Sequence, residues 1–257
     1  MDPLYKMFAK KPIKFSIALV LLVGMLTALV SLTAAIGTIP EVGKFSDATP
    51  GDDLPPGWEP YVFKKIKRHT DYRLVSDNGT VVLKAASNAA ASGLIRRIRI
   101  DPKKYPIVCW RWKITKIYRN ADVAKKEGDD APARLHIVFK SDPSTLNFVE
   151  KVKRKAARLL FGEYPPDASI SYTRASTKPA VTIVSNPYAA RSKMIVIESG
   201  KRRLNRWVQE TRNVYEDYRN IFGNEPPMIS GVGIMTDTDN TGEFAVSFYG
   251  DIYFKTK

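Results

Sequence analysis

The chain has 257 residues and carries 41 Lys and Arg against 26 Asp and Glu, a formal net charge of +15. Hydrophobic residues make up 44% and aromatic residues 11%, which excludes a disordered chain and supplies enough apolar surface for a full core. The lone cysteine, Cys109, excludes an intramolecular disulfide, and only His69 and His136 stand as partners for thiol or imidazole catalysis.

Lys6, Lys10, Lys11 and Lys14 precede an uncharged run from Phe15 to Pro40, apolar at its centre from 15 to 32. Positive charge, then an apolar run, then small residues is the layout of a secretory signal, with cleavage after Ala35 or Gly37. About 20 apolar residues also suffice to span a bilayer, so 15–36 reads as a retained anchor as well. The domain that follows is exported in both cases. Residues 1–37 are therefore a signal peptide or N-terminal anchor, 38–53 a Pro-, Gly- and Asp-rich linker, and 54–257 the domain. Without residues 1–35 the charge is still about +12, a surface that draws polyanions.

From Leu54 onward, short β-prone runs alternate with turn signals. Tyr72–Ser76 and Val81–Ala85 flank Asn78-Gly79, a strong hairpin signal. Gly93–Ile100 follows, then Ile107–Ile114, in which Val108, Trp110, Trp112 and Ile114 share one face and Arg111 and Lys113 the other. Cys109 reads as a small buried residue of that strand. Arg134–Lys140 repeats the pattern, with Leu135, Ile137 and Phe139 inward. Later strands are expected at 169–176, 181–185, 193–198, 207–214, 229–236, 243–249 and 251–255. Two helices break the series: a basic amphipathic one at 145–161, within an insertion reaching 166, and a short one at 217–222 ended by Gly223. The pattern predicts an all-β fold, an antiparallel two-sheet sandwich of jelly-roll or galactose-binding-like type with one or two short helices. No dinucleotide or phosphate loop occurs.

Two loops concentrate acids. In TDTDNTG (236–242), Asp237, Asp239 and Asn240 offer oxygens to a hard cation such as a structural calcium. An EF-hand is excluded, because its twelfth position would be Phe248. The alternative reading is an acid-rich turn capping its own backbone. In GDDAPAR (128–134), Asp129 and Asp130 could serve as acid and base if a carboxylate from Asp237, Asp239 or Glu198 approached them, or could pair with Arg134 to order the strand entrance.

Alternation places Arg111, Lys113, Arg134, His136, Tyr172, Arg174, Glu198, Glu243 and Tyr249 outward. On one sheet face they would form a basic, tyrosine-bearing platform for an acidic saccharide; scattered, they are a solvated surface.

LPPGW (54–58), ASGL (91–94), YPIVCWRWKI (105–114), GDDAPAR, RWVQETRNVYEDYRNIFG (206–223), GVGIMTDTDNTG (231–242) and YGDIYF (249–254) together resemble an uncharacterised bacterial exported family, domain of unknown function 3047. The resemblance implies a protein of the Gram-negative periplasm, free or anchored. Its closing YGDIYF is similar to the last strand of carbohydrate-binding jelly rolls, which adds Asp251 to the metal candidates by analogy. The leading expectation is a non-catalytic binding module for a saccharide or another anionic envelope component. A hydrolase using the loop carboxylates is the alternative, and a scaffold docking on a membrane surface or partner through 145–161 the third. No nucleic-acid motif appears, and the oligomeric state is left open.

Overall fold

The computed structural model describes residues 39–51, 53–140, 168–177, 182–187 and 191–257. The expected signal or anchor at 1–37 and the basic helix at 145–161 lie outside the described residues. Among the described residues, no helix is long and apolar enough to cross a membrane.

Thirteen strands run in chain order: β1 (Glu41–Gly43), β2 (Trp58–Val62), β3 (Asp71–Asp77), β4 (Thr80–Asn88), β5 (Ser92–Ile100), β6 (Ile107–Ile114), β7 (Ala133–Phe139), β8 (Ala168–Ala175), β9 (Ile183–Ser185), β10 (Ser192–Ser199), β11 (Trp207–Asn213), β12 (Ile229–Met235) and β13 (Phe244–Lys255). The α-helix of the described residues, α1 (Val214–Phe222), follows β11. They build a six-stranded sheet in the order β11-β6-β13-β4-β3, with β1 added to β13, and a seven-stranded sheet in the order β2-β5-β12-β7-β8-β10-β9. The chain changes sheets between β4 and β5, β5 and β6, and β6 and β7, then again around β11, β12 and β13. The result is the expected two-sheet sandwich with crossing connections of the jelly-roll kind.

The sequence explains most of this locally. Asn78 and Gly79 take φ of 51° and 80°, the left-handed pair that a two-residue hairpin turn requires. Asn213 caps α1 by accepting from the Glu216 amide at 3.1 Å, and Gly223 ends it at φ 74°. On β6, Val108, Trp110, Trp112 and Ile114 face the core as their alternation predicts. Trp110 packs edge-on to Trp112 at 5.5 Å and stacks across the sandwich on Tyr172 at 5.3 Å. Cys109 is buried, as expected.

Four expectations change. The tether at 38–53 is folded in its described part: β1 pairs with β13, Val42 and Phe45 are buried, and Gly51 bridges Leu74. Its apolar residues are few but spaced to reach the core. The two closing strands are one, β13, with its register shifted between Tyr249 and Ile252. The pairing of β10 with β8 is parallel, because β10 returns between β8 and β9. Finally, Tyr172 and Arg174 point inward with Ile170. All eight residues of β8 are buried, so polarity does not mark its outer face.

Candidate functional site

The two acidic loops meet at one end of the sandwich. Asp237 accepts from the Ala131 amide at 3.0 Å, and Asp130 accepts from the Asn240 and Thr241 amides at 3.2 and 2.6 Å. Asn240 is exposed and donates its side-chain amide to the Lys126 carbonyl at 2.9 Å. Arg134, on the outer side of β7, is expected in solvent but is only 3% exposed. Its guanidinium contacts Asp129 at 2.7 Å and Asp237 at 3.4 Å, with Met194 alongside. Loop residues and Met194 cover it; strand parity alone could not show that.

Burial disfavours charge throughout this cluster. It raises the Asp237 carboxyl well above the usual range, with Asp130 and Asp129 adding to the rise against Arg134. Asp129 is raised for the same first reason, and Asp239 by burial and by Asp130. The ion pair stabilises Arg134 in its charged form, above its ordinary value. Tyr118 also faces this field, its hydroxyl raised well above the ordinary value by burial and then by Asp237 and Asp130. Asp129, Asp130 and Asp237 are buried and engaged, so they offer no open face to a glycosidic bond; Asp239 is half-buried. Asp251 stands apart, both its oxygens held by the Ser46 amide and hydroxyl at 2.9 and 2.6 Å.

The expected platform divides three ways. Arg111 and Lys113 do lie on the outer face of the six-stranded sheet. Arg111 sits 4.7 Å from the Trp207 ring centroid, and Gly250 leaves the space its side chain crosses. Lys113 pairs with Asp77 at 2.6 Å and lies 4.4 Å from the Phe248 ring. The rings these two cations meet are thus Trp207 and Phe248; sequence alternation did not select them. Tyr249, expected outward, is buried, its hydroxyl donating to Met235 and shared with Thr236. Tyr172 donates inward to Asp217 at 2.8 Å, and Arg212 pairs with the same carboxylate.

Arg174 is buried between the sheets, bonded to the Gly200 carbonyl at 2.6 Å and 3.4 Å from Glu198, which also holds Arg203 at 3.0 Å. Beside them Glu210, unmarked in the sequence, is pushed up to about 7, by burial first and by Glu198 second. Half-buried His136 meets Ser171 at 2.6 Å, and burial, helped by Arg134, pushes it down to about 3. Glu243 receives the Arg119 amide at 2.8 Å and pairs with Lys116.

An open groove of about 340 Å³ lies on the seven-stranded sheet, where β5, β7 and β12 end, lined by Arg97, Ile98, Arg99, Lys140, Met228 and Ser230 among others. Arg97, Arg99 and Lys140 are exposed. Arg97 touches Glu59 at 3.5 Å, a weak surface pair. The Lys140 amide is fixed to the Met228 carbonyl at 2.7 Å, so one wall is backbone-bonded. The charged side chains of 93–100 carried the signal for this groove, but only the sheet order brings Lys140 beside them.

A model of the family described as "Protein of unknown function (DUF3047)" matches residues 56–253. No curated protein matches the chain. Among solved structures, the K3 cleaved adhesin domain of Lys-gingipain from Porphyromonas gingivalis W83 is similar at 12% identity and a TM-score of 0.35. That match covers 84% of this chain and 99% of the adhesin domain.

Proposed function

We propose that this chain, which belongs to the DUF3047 family of proteins of unknown function, is a non-catalytic binding module of the cell envelope that holds an acidic saccharide or similar polyanion. The observation that carries the reading is the groove: three exposed cations, Arg97, Arg99 and Lys140, line one open trough with Ile98 and Met228. An open trough of this kind suits an extended chain of anionic groups better than an enclosed small molecule. Arg97 and Arg99 can each grip a carboxylate or sulfate through two N–H groups, and Lys140 adds a point charge. The N-terminal lysines and apolar run support the envelope location, and the overall positive charge favours encounter with anions.

The test is retention on immobilised alginate and heparin at rising salt. Replacing Arg97, Arg99 and Lys140 by Ala should lower the eluting salt far more than replacing Lys64, Lys65 and Lys67, which removes equal charge from another exposed stretch. Equal losses from both triple variants would reduce the interaction to net charge and sink the groove reading, as would no retention of the unaltered protein.

A further inference from the structure

The acidic loops hold an arrangement independent of the groove. One carboxylate oxygen from each of Asp130, Asp237 and Asp239 lies within 4.8 Å of the other two. Asp129 and Asp237 both pair with Arg134, among the described residues the one cation of the cluster in contact with these acids, and of the four carboxyl groups Asp129, Asp130 and Asp237 are buried. Burying several like charges against a single cation is costly unless a further positive charge enters.

A second observation points the same way. Tyr118 is 1% exposed, and its hydroxyl has no hydrogen-bond partner although it lies in the field of Asp237 and Asp130. Buried phenols ordinarily find a partner. The hydroxyl of Thr241, beside the amide that Asp130 holds, is likewise buried without one. Anionic oxygens with unpartnered buried hydroxyls near them are the donor chemistry of a hard cation.

We propose that Asp130, Asp237 and Asp239 bind one calcium ion, with the Tyr118 hydroxyl turned to the same space. Calcium takes oxygen ligands at about 2.3–2.6 Å in flexible geometry, so three oxygens that all lie within 4.8 Å of one another fit its coordination shell. Asp239 is half-buried and Asn240 exposed, so the ion enters from the loop tip. Once bound, it ties the entrance of β7 to the loop between β12 and β13.

Calorimetric titration of the EDTA-stripped full chain in mild detergent should show one calcium site, and calcium should raise the melting temperature. Asp239→Asn should weaken binding by at least about tenfold, and Tyr118→Phe by a smaller factor, with far-UV circular dichroism unchanged. Terbium luminescence on the unaltered chain, displaced by calcium, reads the site without any substitution. The proposal is overturned if about millimolar calcium produces neither heat nor terbium displacement, or if Asp239→Asn binds calcium as tightly as the parent.

Discussion

The indole nitrogen of Trp207 donates to Asp77 at 2.7 Å, although β11 and β3 end the strand path through the six-stranded sheet. Five strands spaced about 4.8 Å apart would set those edges roughly 19 Å from each other in a flat sheet. The tip of the β3–β4 hairpin must therefore arch over the outer face. The register agrees, since the pairing of β4 with β13 ends at Leu83 while the hairpin runs on to Asn78 and Gly79.

Asp77 holds that arch through Trp207 and Lys113 together. Asp77→Ala should cost about 1–3 kcal/mol in urea unfolding, since it strands a largely buried ammonium and an indole N–H. The Trp207 contribution to fluorescence should move to the red. An unchanged midpoint and spectrum would mean that the hairpin tip carries no load.

Arg134→Met should be among the most damaging single changes. It removes the cation shared by Asp129 and Asp237 while leaving both carboxyl groups buried, a loss of about 3–5 kcal/mol. Guanidinium denaturation at neutral pH measures it, and a loss below about 1 kcal/mol would contradict the pairing.

Glu210 sets a pH dependence between acid and neutral pH. Its native carboxyl titrates at about 7 against an ordinary 4.5, so the folded state holds a proton that the unfolded chain has released. Stability therefore falls as pH rises from 4.5 to 7 and levels above. After solvent screening at this half-buried site, Glu210→Gln should gain about 1–2 kcal/mol at pH 8 and none at pH 4. Chemical unfolding at both values decides it.

His136 acts in the opposite direction. Held neutral down to about 3 against an ordinary 6.5, it takes up no proton where the unfolded chain does, so stability is lost as pH falls from 6.5 towards 3. His136→Asn should make the acid limb of the stability curve shallower while leaving stability above pH 7 less affected. A limb of unchanged steepness would show that other groups drive acid unfolding.

Strand positions were largely legible because one-sided burial writes itself as alternation: β6 and β7 show it in every inward residue from Val108 to Phe139. Asn78-Gly79 and Gly223 were legible because backbone conformation alone selects those residues. Orientation failed at Tyr172 and Arg174, where β8 is covered on both faces and a polar side chain can point into the core if it finds Asp217 or Glu198. Arg134 failed for a related reason, since its cover comes from loop residues and from Met194 of β10. The meeting of 128–134 with 236–242 joins residues about a hundred positions apart, and no local pattern encodes it. The same holds for Trp207 over Arg111 and for Lys140 beside Arg99.

The strand order has a bearing on how the chain is made. β12 lies between β5 and β7, and β13 between β4 and β6, so in each sheet the strand that comes last in chain order is an inner one. Until residues 229–255 emerge, each sheet is two unjoined halves, and the core between them has no lasting form. Contacts so distant along the chain form slowly. A chain built in this order cannot close its core until those two strands take their places.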